Sequence, residues 1–232
     1  MRTDALLSRF GYCSRREVAQ WLKRGRVTRN GVPVKSPADK VEPEEVLIDG
    51  EPIEFPRGIY IALNKPLGYT CSHKEEGELV YDLLPPQWLR RNPVVNTVGR
   101  LDKETSGLLL LTDDGAFEHA QTSPKRHVPK VYAFTTSAPV PADAVRLFAS
   151  GEFMLQGERT PCLPAELTLT GECSGLLTLH EGRYHQVRRM LAAVDAPVLT
   201  LERVEIGPLK LADLNLEPGE WEEINPDIFS GR

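Results

Sequence analysis

The four consecutive leucines Leu108 to Leu111 constrain this chain more than any other stretch. A run that short cannot span a membrane, and with Thr112-Asp113-Asp114-Gly115 behind it as a turn signal it reads as a fully buried strand. Directly ahead lies Gly99-Arg100-Leu101-Asp102-Lys103-Glu104-Thr105-Ser106-Gly107, and before that Val94, Val95 and Val98 suggest another strand. Asp102 is thus expected on a short polar connection pinned at both ends to a core, where a scaffold can hold a reactive group rigidly. The residues alone leave a second reading open, in which Asp102 caps a turn through its own backbone and the two glycines serve only their dihedrals.

With 232 residues and an apolar fraction of 41%, the chain can bury one large core or a small and a medium one. The net charge of −5 suits a soluble protein, there is no long apolar run, and the start Met1-Arg2-Thr3-Asp4 lacks a signal-peptide stretch. A cytoplasmic protein with no membrane partner is expected. Cys13, Cys71, Cys162 and Cys173 form no Cys-x-x-Cys pair, so reduced and buried cysteines are expected. The histidines also fail metal spacing: Cys71 and His73 flank Ser72, but no second ligand pair accompanies them, and no metal is expected. The charge is divided unevenly. Residues 1–40 hold ten Lys or Arg against Asp4, Glu17 and Asp39, whereas the remainder carries a net −12. A basic head on an acidic body most often serves a polyanion, although a charge run can be a solvated face.

Within the head, Ala5, Leu6, Leu7 and Phe10 form a helical stripe ending at Gly11, and Ser14-Arg15-Arg16-Glu17 reads as a capping box opening a second helix. Val18, Trp21 and Leu22 face inward there, leaving Arg15, Arg16, Lys23 and Arg24 outside until Gly25 stops the helix. Asn30-Gly31 and Asp49-Gly50, each between alternating apolar residues, predict two hairpins. Together with the opening Arg2-x-Asp4 and the run Gly25-Arg26-Val27-Thr28-Arg29-Asn30-Gly31, this head resembles the small RNA-binding domain first seen in ribosomal small-subunit protein four. The resemblance implies that Ser14, Arg15, Arg16, Lys23 and Arg26 face the backbone of structured RNA, where shape and phosphate contacts dominate.

An acidic, proline-dotted join containing Glu42, Pro43, Glu44, Glu45, Pro52 and Pro56 leads to a strand at Ile59–Leu63 and a turn at Asn64-Lys65-Pro66-Leu67-Gly68-Tyr69. Domains are therefore expected at 1–57 and 58–232. Further on, Ala116 to Gln121 and Ala142 to Ala149 read as helices, and Lys130–Phe134 and Leu176–Leu179 as strands. A last helix turns Val187, Met190, Leu191 and Val194 inward and His185, Arg188 and Arg189 outward. Irregularly interspersed strands and helices argue for an α+β fold.

Four motifs carry a second resemblance: Asn64-Lys65-Pro66-x-Gly68-Tyr69, the segment Gly99 to Gly115, Lys130-x-Tyr132, and Glu181-Gly182-Arg183-Tyr184-His185-Gln186-Val187-Arg188-Arg189-Met190. In this order they are similar to the pseudouridine synthases, specifically the branch acting on small-subunit ribosomal RNA. The resemblance implies a small α+β RNA-binding head followed by a larger catalytic domain, built on a mixed, mostly antiparallel sheet with flanking helices. It implies isomerisation of a uridine without a cofactor, with Asp102 as the essential acid, Tyr132 stacking on the base and Arg188 as the basic partner keeping Asp102 ionised. Arg100 would help extract the nucleotide, and Lys65, Arg183 and His185 would contact RNA, His185 chiefly as a structural residue. Whether Asp102 attacks the sugar carbon or takes a ribose proton is left open.

The expected partner is ribosomal RNA or a ribosome-assembly particle, met by a monomer. A large-subunit target, a catalytically idle assembly factor, and a small-molecule enzyme using Asp102 are the alternatives. The last conflicts with the basic head, and the idle binder with the joint presence of Asp102, Tyr132 and Arg188.

Overall fold

Two helices and four short strands make up the head in the computed structural model, which describes residues 1–230. Helix α1 (Thr3–Arg9) turns Leu6 and Leu7 inward, and buried Phe10 follows before Gly11 leaves the helix at φ 76°. Helix α2 (Val18–Lys23) starts later than the Ser14-x-x-Glu17 pattern predicts. The Glu17 carboxylate does accept from the Ser14 N–H at 2.8 Å, but it also takes the Ser14 hydroxyl at 2.6 Å. The serine therefore caps nothing, and Arg15 and Arg16 lie in the turn ahead of the helix.

Strands β1 (Val27–Arg29) and β2 (Val32–Pro33) pair through Asn30 and Gly31, both at positive φ as a two-residue hairpin of this type requires. Strands β3 (Val46–Ile48) and β4 (Glu51–Pro52) repeat the device with Asp49 and Gly50. The sheet order is β2-β1-β3-β4, and Leu6, Leu7, Phe10, Val18, Val27 and Val46 belong to the core that the head forms for itself.

The body contributes β5 (Tyr60–Lys65), β6 (Asn96–Thr97), β7 (Ser106–Thr112), β8 (Lys130–Thr136), β9 (Glu166–Gly171), β10 (Ser174–Leu179), β11 (Val198–Ile206), β12 (Leu209–Lys210) and β13 (Trp221–Glu223). They form one sheet in the order β13-β5-β7-β11-β8-β10-β9, with β6 on β7 and β12 on β11. Among the described residues its pairings are antiparallel except for the short parallel contact of β7 with β11. Both faces of β7 are covered, which is why its sequence is continuously apolar. Leu109 and Leu111 enter the core around Trp88 and Tyr81, while Leu108 and Leu110 enter the one around Ile206 and Ile224. Burying each leucine fully contributes roughly 1.5–3 kcal/mol, so β7 anchors everything that follows Asp102.

Helix α3 (Gly115–Thr122) is capped by Asp114, whose carboxylate accepts from the N–H groups of Ala116 and Phe117. The expected turn thus doubles as a helix start. Helices α4 (Ala144–Ala149) and α5 (Gln186–Ala192) close over the far half of the sheet, where Phe148, Val187, Met190 and Leu191 are buried together. Two further differences matter for the site. The first body strand runs on through Lys65, so that lysine is part of β5 and not of a turn. The strand expected around Val94–Val98 reduces to the two residues of β6.

Head and body share no strand pairing among the described residues, and Arg91 lies where they meet. Its buried guanidinium donates from Nε to Asp113 at 2.8 Å and from Nη1 and Nη2 to the carbonyls of Glu54 and Phe55 at 3.1 Å each. It also lies 4.7 Å over the ring of Phe10 in the head. No helix among the described residues is long and apolar enough to cross a membrane.

Candidate active site

The loop that carries Asp102 is held by its backbone. Its own carbonyl accepts from Thr105 N–H at 3.0 Å, and the next three carbonyls each accept from a different part of the chain. The Lys103 carbonyl accepts from Gly68 N–H at 2.9 Å, that of Glu104 from Arg188 Nη2 at 2.7 Å, and that of Thr105 from Lys65 Nζ at 2.8 Å. Leu101 is buried on the other side, and its N–H points at Cys71 Sγ. At the exit, Gly107 adopts φ 98°, and any side chain there would collide with the backbone of Arg203 on β11. With its backbone so fixed, the loop presents the Asp102 carboxylate, 34% exposed, to a cleft of about 610 Å³.

Tyr132, Arg188, His185, Arg100 and Arg203 line the same cleft. Tyr132 comes from the middle of β8, and Arg188 from the face of α5 turned away from the core. The expected contact of Arg188 with Asp102 is not made, because its Nη2 goes to the Glu104 carbonyl, and its Nε is buried without a partner. The nearest basic group to the acid is instead His185, whose Nε2 lies 3.3 Å from Asp102 Oδ1. His185 precedes α5 in the left-handed conformation at φ 48°, with its ring stacked 3.9 Å from that of Tyr184. This proximity was not legible in the sequence; a histidine beside a tyrosine in the last motif was the available signal.

Arg203 was also missed. It is 1% exposed, its Nε donates to the Leu108 carbonyl at 2.8 Å, and its Nη2 is buried with no partner. Burial pushes Lys130 Nζ down to about 8, with Arg203 nearby adding to the effect. Lys65 is likewise lowered, first by burial and only partly offset by Cys71, Asp102 and Glu104. Cations thus outnumber carboxylates around the floor of the cleft.

Several expected RNA contacts are engaged inside the protein. Lys65 is wholly buried and serves the Asp102 loop, so it offers nothing to RNA. Arg183 is spent on Glu181 and on the carbonyls of Thr160 and Pro161, and Arg189 on Glu158 and the carbonyls of Tyr184 and Gln156. Both arginines brace the 156–161 segment. In the head, Arg26 pairs with both oxygens of Asp49 and stacks 3.6 Å over Trp21, and the Ser14 hydroxyl is held by Glu17. Arg15, Arg16 and Lys23 remain exposed, with no ion pair among the described residues. Arg100 is 68% exposed at the lip of the cleft, touching only Glu75 at 3.4 Å. His73 stacks on Tyr81 and bonds to Asn96; of the cysteines expected to be buried, Cys71 and Cys162 are, whereas Cys13 and Cys173 near the surface are only half-buried.

Known proteins resemble this chain along nearly its whole length. The profile described as RNA pseudouridylate synthase matches residues 59–193, and that described as S4 domain matches residues 1–47. The chain is similar to the uncharacterized RNA pseudouridine synthase YtzG of Bacillus subtilis, at 38% identity over 98% of this chain and 96% of that one. It is 40% identical to the ribosomal small subunit pseudouridine synthase A of Yersinia pestis, over 98% of this chain and 96% of the relative. A crystal structure of a pseudouridylate synthase superposes with a TM-score of 0.69 at 34% identity, over 99% of this chain and 98% of that one.

Proposed function

Since the chain belongs to the RNA pseudouridylate synthase family and carries an S4 domain at its amino end, we propose that it converts one uridine of small-subunit ribosomal RNA to pseudouridine. The observation that carries the reading is a single cleft in which Asp102, on a loop gripped at four successive carbonyls, faces Tyr132 and a surplus of cations. A uridine swung out of its strand enters there, and Arg100 at the lip offsets part of the few kcal/mol that unstacking costs. The Tyr132 ring gives the base a flat surface on which it can turn. Asp102 acts on the ribose, either by attacking C1′ or by taking a proton from C2′. The bond from N1 to C1′ breaks and one from C5 to C1′ forms; C5 loses a proton and N1 gains one, so composition is unchanged.

Arg188 enters this scheme first through the loop, because it fixes the Glu104 carbonyl two residues beyond the acid. Its unpartnered Nε is the group that would meet the carboxylate or the substrate once RNA closes the cleft. Arg15, Arg16 and Lys23 supply the head's grip on phosphates. The division falls near residue 57, between the two sheets, and the protein works as a cytoplasmic monomer on ribosomal RNA or an assembly particle. The test is to map pseudouridine in both ribosomal RNAs from cells with the gene, without it, and with Asp102→Asn. One small-subunit mark should vanish in the last two while RNA binding by the variant persists. Loss of a large-subunit mark instead would move the target, and unchanged maps would end the proposal.

A further inference from the structure

Arg203 carries a charge that the fold leaves uncompensated. Its guanidinium is 1% exposed and makes one hydrogen bond, from Nε to the Leu108 carbonyl, while Nη2 is buried with no acceptor. Among the described residues no carboxylate lies within ion-pair distance of it. A buried, unmet donor on a charged group destabilises the fold, and a neutral donor would serve Leu108 equally well. The neighbouring charges aggravate the problem, since Lys65 and Lys130 feel Arg203 as a like charge. An acceptor from outside the protein, a water or a bound ligand, would satisfy this group.

The position of Arg203 says what. It is the register partner of Tyr132 across the antiparallel β11–β8 ladder, so the two side chains share one face of the sheet. Both line the cleft into which Asp102 opens. Backbone phosphates would be met at the exposed lip, beside Arg100, and not beside a guanidinium as deeply buried as that of Arg203. The base is the part of the nucleotide that reaches that depth.

Resting on the uridine-isomerising reading of the cleft, we infer that Arg203 is a substrate-binding residue that donates from Nη2 to a carbonyl oxygen of uracil. When the N1–C1′ bond breaks, its electron pair stays with the base and spreads over N1, C5 and the two carbonyl oxygens. A guanidinium fixed beside one of those oxygens stabilises that anion until C5 bonds to C1′, and it holds the base during the turn. The cation is set in place before the charge appears, which is the arrangement that accelerates the breaking step and not binding alone.

The experiment compares the full-length protein with Arg203→Met in single-turnover reactions on unmodified transcripts of both ribosomal RNAs. The rate constant at saturating RNA should fall by roughly 10²–10³-fold, with Kd for RNA changed by less than about 3-fold and the thermal transition retained. A folded variant within about 3-fold of the parent rate would overturn the inference. Because Arg203→Met also removes the hydrogen bond from β11 to the Leu108 carbonyl on β7, crystals of the unaltered protein soaked with uridine 5′-monophosphate give a second measure. Nη2 within hydrogen-bond distance of O2 or O4 supports the assignment, and a guanidinium facing only protein or water refutes it. An unaltered protein that forms no pseudouridine in either transcript counts against the proposed function itself, and the soaked crystals still decide the role of Arg203.

Discussion

Neutralising Arg15, Arg16, Lys23 and Arg24 together, each to Gln, should flatten the salt dependence of RNA binding without unfolding the head. The structure separates the head's cations into two sets. Arg2, Arg26 and Arg29 are paired with Asp4, Asp49 and Glu45 at 2.8, 2.5 and 2.7 Å, whereas the four chosen are exposed and make no ion pair among the described residues. Each phosphate neutralised adds about 0.7–0.9 to the slope of log K against log salt, so losing four contacts lowers that slope by about 3. Between about 50 and about 200 mM salt this removes roughly 60-fold of the affinity change seen with the parent protein. Filter binding to an unmodified small-subunit transcript over a salt series measures it. A slope lowered by less than about 1 would refute the assignment of these residues to phosphates. The control is Arg26→Gln with Arg29→Gln, which should leave the slope within about 0.5 of the parent. It should instead lower the head's thermal transition slightly, chiefly through the lost stack on Trp21.

Arg91→Met keeps an apolar stem over Phe10 but strands Asp113 inside the protein, and should destabilise by about 3–5 kcal/mol in urea denaturation; a loss under about 1 kcal/mol would contradict the geometry. Lys130 sets a pH signature. Folded, it releases its proton near 8, and unfolded near 10.5, so between those values the unfolded chain binds the extra proton and unfolding free energy rises with pH. The gain is at most about 3 kcal/mol, reduced by whatever solvent reaches the amine, and Lys130→Met should remove it; equal pH curves for parent and variant would exclude this origin.

The parts of this molecule that were legible in its sequence are those whose cause is local. Asn30-Gly31 and Asp49-Gly50 carry their turn conformations in their own dihedrals, and Leu108–Leu111 need only a covered strand. The inward face of α5 follows from the spacing of Val187, Met190 and Leu191. What was not legible depends on partners distant in sequence. Lys65 is expected in the Asn64–Tyr69 turn and on RNA, yet its ammonium is used 40 residues away at Thr105. Arg183 reads as a free cation until the 156–161 segment folds onto it. The alternating Glu202-Arg203-Val204-Glu205 gave no sign of a central strand, because charged residues inside a sheet contradict the usual pattern. The expected pairing of Arg188 with Asp102 rested on motif position, and in the folded chain His185 holds that place.

His185 has one more implication. Glycine or asparagine would enter its left-handed backbone at less strain, by about 1 kcal/mol, and would start α5 as well. Either would also take the imidazole away from the carboxylate it sits beside, 3.3 Å off. Selection for heat resistance alone would therefore work against this histidine, and variants of the chain that drift toward comfort at residue 185 should outlast the parent on heating while working less well.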